Sequence, residues 1–486
     1  MFIKTPTRLA FILLLVSIFH FGAIAQDHVY SLEECIKIAF ENNLTVQRGN
    51  LDKQSAEINL RQNRMSRLPD LNVGSGYGIN WGRSINTVTN DFESIQRRSV
   101  GINGSSSLPI FNGFQISNSI KQSILELELG TADLEKVKND VALSVANSYL
   151  NVIFNQELQG NSEVQLNSTT KQLDRTKILV DAGSLPITNL LDLQAQQATN
   201  EVNLINAENN YNLAVLQLKQ ALLIPASDPF EIEVPEFEIN TLEEANFNSN
   251  EVFKVAESAQ PEVKSADMRI RSAELGMKIS RSGYMPRLSL NAGLSTNYSN
   301  SPFSSRRAIY DGTELIEAPF GYLASDPSET VISSLSQPKL VGFDQITFTE
   351  QLDENLSQAI NLNLSIPIFN KWRTKSDVQR SMISRQRAEI NAKEVRNNLR
   401  QTIETAYNNY IAASKFYNAS EKQVAALEES YRVIENQYTL GAINFVDYQI
   451  SENNLFMAKS DRLRAKYDYI FKSKVLDFYL GKPLSF

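Results

Sequence analysis

The chain is poor in the residues that most metal and redox chemistry requires. Its 486 residues include one cysteine and two histidines. A single Cys excludes an intrachain disulfide framework and any multi-Cys zinc or iron–sulfur site. Two His leave little for His-based catalysis, and neither a Gly-rich phosphate loop nor a nucleophile elbow is present. Fifteen Pro and 20 Gly are too few for a collagen-like or low-complexity chain. Basic charge is also short. The 47 Lys and Arg stand against 55 acids, giving −8, the wrong sign for a nucleic-acid binder. Long apolar runs are missing after the first residues, and the mean hydropathy of −0.27 argues against a polytopic helical membrane protein. No enzyme, cofactor or resident metal is therefore expected.

What is present begins with an export signal. Lys4 and Arg8 precede an apolar run from Leu9 to Phe21, and Ala23-Ile24-Ala25 follows. A basic start, a short apolar core and small residues before the cut describe a signal peptide over 1–25. Cys35 lies too far past that cut to be a lipidated first residue, and reads as a small apolar side chain.

The mature chain reads as two copies of one unit. Ser107-Leu108-Pro109-Ile110-Phe111-Asn112 returns as Ser365-Ile366-Pro367-Ile368-Phe369-Asn370, 258 residues later. Gly183 returns as Gly441 and Pro225 as Pro483 at the same offset. Arg67-Leu68-Pro69-Asp70-Leu71 matches Tyr284-Met285-Pro286-Arg287-Leu288 at a smaller offset, so the second copy holds an insertion of 41 residues within 299–350. The copies span 26–225 and 251–486, joined by an acidic connector, 226–250, without Lys or Arg.

Each copy holds two alternating stretches, near 70–81 and 99–110, then near 287–298 and 359–368. Leu71, Val73, Tyr77, Ile79 and Trp81 alternate with Asn72, Gly74, Gly76, Gly78 and Asn80; Leu362, Leu364 and Ile366 alternate with Asn361, Asn363 and Ser365. Period two gives each strand one apolar and one polar face. Strands of about ten residues with Tyr77, Trp81 and Tyr298 near their ends suit a membrane barrel with an aromatic girdle. The remainder is expected to be helix over 31–66, 117–182, 186–223, 250–282, 376–440 and 445–480. Heptad spacing of Leu166, Leu173 and Val180, and of Tyr431 and Tyr438, points to coiled-coil contact. The insertion, with Arg306, Arg307, Tyr310 and Tyr322, is expected to be an exposed surface loop.

Four strands cannot close a barrel, since about eight is the smallest membrane barrel known and an open edge in lipid has no water to satisfy it. Symmetric association of several copies follows. These features together resemble the TolC family of outer-membrane efflux proteins. The resemblance implies a mainly α chain with a membrane β-barrel: a homotrimer whose twelve strands form the barrel and whose long helices form a periplasmic tunnel. It implies an exit duct, in contact with outer-membrane lipid, docked to a periplasmic adaptor and an inner-membrane pump of RND type. Absence of a Met/His cluster favours multidrug over metal efflux. The outer-membrane component of a type I protein secretion system is the alternative, and a structural or adhesive coiled-coil trimer a more distant one.

The resemblance also assigns sites. The turns at Gly183-Ser184-Leu185 and Gly441-Ala442-Ile443 correspond to the adaptor-contacting tips. Family members often carry rings of Asp just after the second turn. Asp447 matches the first of these, while Ile450 replaces the second; Asn189 and Asp192 stand at the repeat-related positions. Asp447, Asp192 and Asn189 are thus the candidate gate. As bare residues, acids early in a helix also complement its dipole.

Overall fold

The computed structural model describes residues 29–86, 91–235, 248–301, 305–482 and 484. The expected signal peptide and residues 236–247 of the connector lie outside the described residues. In chain order come β1 (Val29–Tyr30), α1 (Leu32–Asn42), α2 (Leu44–Met65), β2 (Asn72–Asn86), β3 (Asp91–Phe111), α3 (Gln115–Asp181) and α4 (Ile187–Leu222). After β4 (Glu231–Ile232) follow α5 (Ser249–Ala259), α6 (Pro261–Arg281), β5 (Arg287–Ser299), β6 (Arg306–Leu323), β7 (Asp326–Gln345), α7 (Phe348–Glu354), β8 (Ser357–Ser365), α8 (Arg373–Thr439) and α9 (Phe445–Tyr479). The fold is mainly helical, with α3 and α8 each 67 residues long. Among the described residues no helix is long and apolar enough to cross a membrane.

Two expected helices are each broken in two. Asn43 stops α1 with extended backbone, and its Oδ1 accepts the Thr45 N–H at 2.8 Å, capping α2. Gln260 precedes Pro261, whose ring disfavours helical geometry at the residue before it.

The chain divides into two compact units. The strand-bearing unit comprises residues 59–124 and 273–384. Its sheet runs β2–β3–β5–β8, antiparallel throughout. Strands β2 and β3 are longer than the alternation suggested, and β8 ends at Ser365, ahead of Pro367, which has no N–H for a ladder. The expected insertion loop is instead a long hairpin, β6–β7. Register shifts at Ile309–Tyr310, Tyr310–Thr313, Pro319–Gly321 and Tyr322–Leu323 scramble its alternation, which hides the strands from a period-two reading. Helix α7, which follows the hairpin, is fastened to the end of β5: Gln351 accepts the Ser299 N–H at 2.9 Å, and Phe348 packs on Tyr298 at 5.0 Å.

At both strand-to-helix junctions, two consecutive residues adopt positive φ. They are Gly113 and Phe114 after β3, and Lys371 and Trp372 after β8, again 258 residues apart. Left-handed geometry turns the chain sharply from strand into helix.

The helical unit comprises residues up to 58, 125–272 and 385–486. Its largest core joins Cys35 and Ala39 of α1 to Val145, Tyr149 and Ile153 of α3, and to Leu218 and Leu222 of α4. Burial pushes the Cys35 thiol up to about 12, so it packs as an apolar group. Tyr149 donates its hydroxyl to the Glu233 carbonyl at 2.6 Å, tying the end of β4 to this core. Arg396 of α8 bonds Asp267 of α6 through Nη2 at 2.8 Å and Glu257 of α5 through Nε at 3.2 Å.

Seams run at heptad spacing. On α8, Ile403, Tyr410, Tyr417 and Val424 are buried, and Tyr431 and Tyr438 continue the column. Tyr469 of α9 stacks on Tyr410 and Tyr417 at 5.6 and 6.1 Å. On α3 the fully buried seam is Ser162, Thr169 and Thr176, not the expected Leu166, Leu173 and Val180. Each of Ser162 and Thr169 bonds its hydroxyl back to the carbonyl four residues earlier, at 3.0 and 3.1 Å, so these small polar groups are satisfied within the helix. Leu173 instead packs against Leu193, Phe445 and Tyr448.

Candidate functional site: the hairpin tips and the sheet face

Both helical hairpins turn by the same device. Ser184 N–H bonds the Leu179 carbonyl at 2.8 Å and Gly183 N–H the Val180 carbonyl at 2.9 Å. At the second turn Ala442 N–H bonds the Gln437 carbonyl at 2.8 Å and Gly441 N–H the Tyr438 carbonyl at 3.0 Å. These are Schellman caps, with Gly183 at φ 71° and Gly441 at φ 76° supplying the left-handed residue. Helix α4 then opens with Pro186 as its N-cap, in extended backbone one position before Ile187. Helix α9 opens with Asn444, whose Oδ1 accepts the Asp447 N–H at 2.9 Å while its Nδ2 donates to Asp447 Oδ2 at 2.9 Å.

Of the expected tip residues, Leu185, Asn189, Gly441 and Ile443 meet around one recess of about 340 Å³. Gly183, Ser184, Ala442, Asp192 and Asp447 are exposed and lie outside its lining. Asp447 stands in the first turn of α9 with its carboxylate held by the cap.

The wall of the recess continues into an arrangement that sequence flagged only through the heptad pair Tyr431 and Tyr438. Tyr438 stacks on Tyr448 at 4.8 Å, Tyr448 and Tyr431 share a hydroxyl contact of 2.7 Å, and Gln172 of α3 donates to the Tyr448 hydroxyl. One turn along α9, Glu452 is only 5% exposed, and Ser168 of α3 donates to its Oε1 at 3.3 Å. Burial pushes this carboxyl from 4.5 up to about 7; Ser168 and Gln165 pull it down, Glu435 of α8 pushes it further up, and Tyr448 again lowers it. Lys459, two turns on, is occupied by Glu428 at 2.9 Å. The signal available in sequence was an acid falling between Tyr448 and Leu455 on the inward stripe of α9.

In the strand-bearing unit the sheet presents its apolar side outward. Tyr77 is 64% exposed, Trp81 73% and Leu362 63%, beside exposed Val73, Ile360 and Leu364. Tyr77, Val100 and Tyr298 form one cross-strand row, while Trp81 lies beyond the end of β5, opposite Gln96. Tyr298 is half-buried beneath Phe348, so the three expected girdle residues are not equivalent. The other side carries Ser107, Asn291 and Asn361, with the Ser107 hydroxyl donating to Asn291 Oδ1 at 2.8 Å. The sheet thus has a bare apolar face and, among the described residues, two open edges, β2 and β8.

Comparison with known proteins agrees. The pattern of the outer membrane efflux protein family matches residues 35–222 and 252–482. The chain belongs to the outer membrane efflux protein family and is an outer-membrane efflux channel protein. It is 22% identical over 481 residues to the outer membrane protein TolC of Escherichia coli, covering 97% of this chain and 85% of that one. In fold it is similar to CusC, with a TM-score of 0.72 at 15% identity over 93% of this chain and 92% of CusC. VceC of Vibrio cholerae gives 0.69 at 14% identity (93% and 96% covered), and the CmeC channel of Campylobacter jejuni 0.65 at 16% (94% and 87%).

Proposed function

We propose that the protein is the passive exit duct of a tripartite efflux system, working as a homotrimer without catalysis of its own. In this reading three copies of the β2–β3–β5–β8 sheet close a twelve-stranded barrel in the outer membrane, with Tyr77, Trp81 and Tyr298 at its lipid boundary. Helices α3, α4, α8 and α9 of three copies line a periplasmic tunnel. The two turns, through Gly183-Ser184-Leu185 and Gly441-Ala442-Ile443, meet a periplasmic adaptor, and an RND-type inner-membrane pump supplies the solute.

The observation that carries this reading is the open edge on each of β2 and β8 beside an exposed apolar face. Unpaired strand edges cannot be tolerated in lipid, so edge must meet edge around a ring. Size measurement in mild detergent combined with planar-bilayer recording tests it: a monomer that carries no current ends the proposal.

The exposed acids Asp447 and Asp192, with Asn189 beside them, form the gate in this reading. Three copies of each carboxylate gathered at a constriction select for cations. Asp447→Asn is expected to lower cation selectivity and weaken divalent block in the bilayer recording. Unchanged selectivity and block would leave Asp447 as a helix cap alone.

A further inference from the structure

A recess of about 560 Å³ at the foot of the sheet is lined by Arg287, Arg373 and Arg380, and Asp377 is the one acid among its described lining residues. Asp377 is already taken, since Arg380 Nη2 donates to its Oδ1 at 2.5 Å. Arg287 and Arg373 have no acidic partner among the described residues. Two unneutralised guanidinium groups therefore share one concavity, in a chain whose net charge is −8.

The floor beneath them is firmly built. The Thr374 hydroxyl donates to the Gly283 carbonyl at 3.4 Å, and Ser280 and Ser381 share a hydroxyl contact of 2.7 Å. A Cβ at Gly283 would meet the Thr374 side chain at 2.9 Å, so that side chain packs directly on the glycine backbone. Neutral polar groups of Gln115, Ser365 and Asn370 also line it, beside apolar Ile279 and Pro367.

Register fixes which side of the sheet the recess serves. Arg287 pairs with Ser365, Ser289 with Asn363 and Asn291 with Asn361. Alternation places all six on the polar side, opposite Leu288, Leu290, Leu362 and Leu364. Arg287 thus belongs to the polar side of the sheet, and Arg373, at the start of α8, faces the same recess. Like charges lining one recess favour an anion between them, and the planar guanidinium fork matches carboxylate and phosphate oxygens.

We propose that this recess is an anion-binding site on the water side of the sheet, taking the carboxylate or phosphate group of a passing solute. The proposal rests on the channel reading for the words "water side" and "passing"; the binding itself does not depend on conduction. It gives the duct a point of interaction with anions, opposite in sign to the acids at the tips.

The test uses the full-length protein in detergent at low ionic strength, titrated calorimetrically with inorganic phosphate and separately with citrate. Saturable binding is expected, weakened at least tenfold by the double variant Arg287→Gln/Arg373→Gln and by added salt. Arg287→Lys/Arg373→Lys keeps the charge and is expected to retain part of the affinity, which separates lost binding from lost folding. In bilayers the Gln double variant is expected to become more cation-selective. No phosphate or citrate binding in the natural protein, or equal binding in the Gln variant, overturns the site. In nanodiscs, retention of phosphatidylglycerol that depends on the two arginines, without phosphate or citrate binding, also overturns it in favour of a lipid site. Phosphate binding by a protein that carries no current keeps the site and sinks the channel reading instead.

Discussion

At Gly113 and Lys371 the same backbone geometry is met by different residues. Both follow an Ile-Phe-Asn run, and both have positive φ, 65° and 54°. At Gly113 the reason for glycine is space as well as angle: a Cβ would come within 2.5 Å of Met285 Cβ and 2.8 Å of the Ser282 carbonyl. Gly113→Ala is expected to cost more than about 1 kcal/mol, because neither backbone nor Met285 can retreat without disturbing the junction. Lys371 already tolerates the angle, so Lys371→Gly is expected to change stability by less than about 1 kcal/mol, angle relief offsetting the added chain entropy. Denaturant unfolding of the two variants side by side checks the contrast; equal effects would refute it. The Ile-Phe-Asn marks were readable in sequence, but the left-handed pair at Lys371 and Trp372 was not, since neither side chain signals it.

Among the elements, α9 carries the group whose ionisation matters most to its packing. Unfolded, Glu452 ionises near its ordinary 4.5; buried against Ser168, Tyr448 and Glu435, it does so near 7. Between those values the folded chain keeps a proton that the unfolded chain has released. Stability of the α3–α8–α9 packing therefore falls as pH rises from about 4.5 to about 7 and levels off above. The change is on the order of 3 kcal/mol. Thermal unfolding across that range is expected to slope downward with pH, and Glu452→Gln to flatten it; a persisting slope would place the effect elsewhere. The long helices were legible because Pro and Gly are nearly absent from them. The polar seam of Ser162, Thr169 and Thr176 was not, because burial of hydroxyls is recognised only once their carbonyl partners are known. Hairpin β6–β7 escaped for the opposite reason, its strands being present but out of phase.

At the scale of the whole molecule, the two faces of the sheet divide what the protein tolerates. If the apolar face meets lipid, Leu362→Lys is expected to cost about 2–4 kcal/mol at mid-depth and to reduce assembled protein in the outer membrane. Asn361→Lys, one residue away on the polar face, is expected to leave assembly intact. Membrane fractionation with quantitative blotting distinguishes them, and equal yields would contradict the orientation. The distribution of aromatic residues has a further, practical result. Both tryptophans, Trp81 and Trp372, lie in the strand-bearing unit and are exposed, while the stacked column from Tyr410 to Tyr448 lies in the helical unit. Tryptophan is thus confined to the strand-bearing unit, whereas tyrosine occurs in both, with Tyr77 and Tyr298 in the sheet itself. Tryptophan emission excited at the red edge, where tyrosine does not absorb, therefore reports on the strand-bearing unit without a contribution from the helical seam.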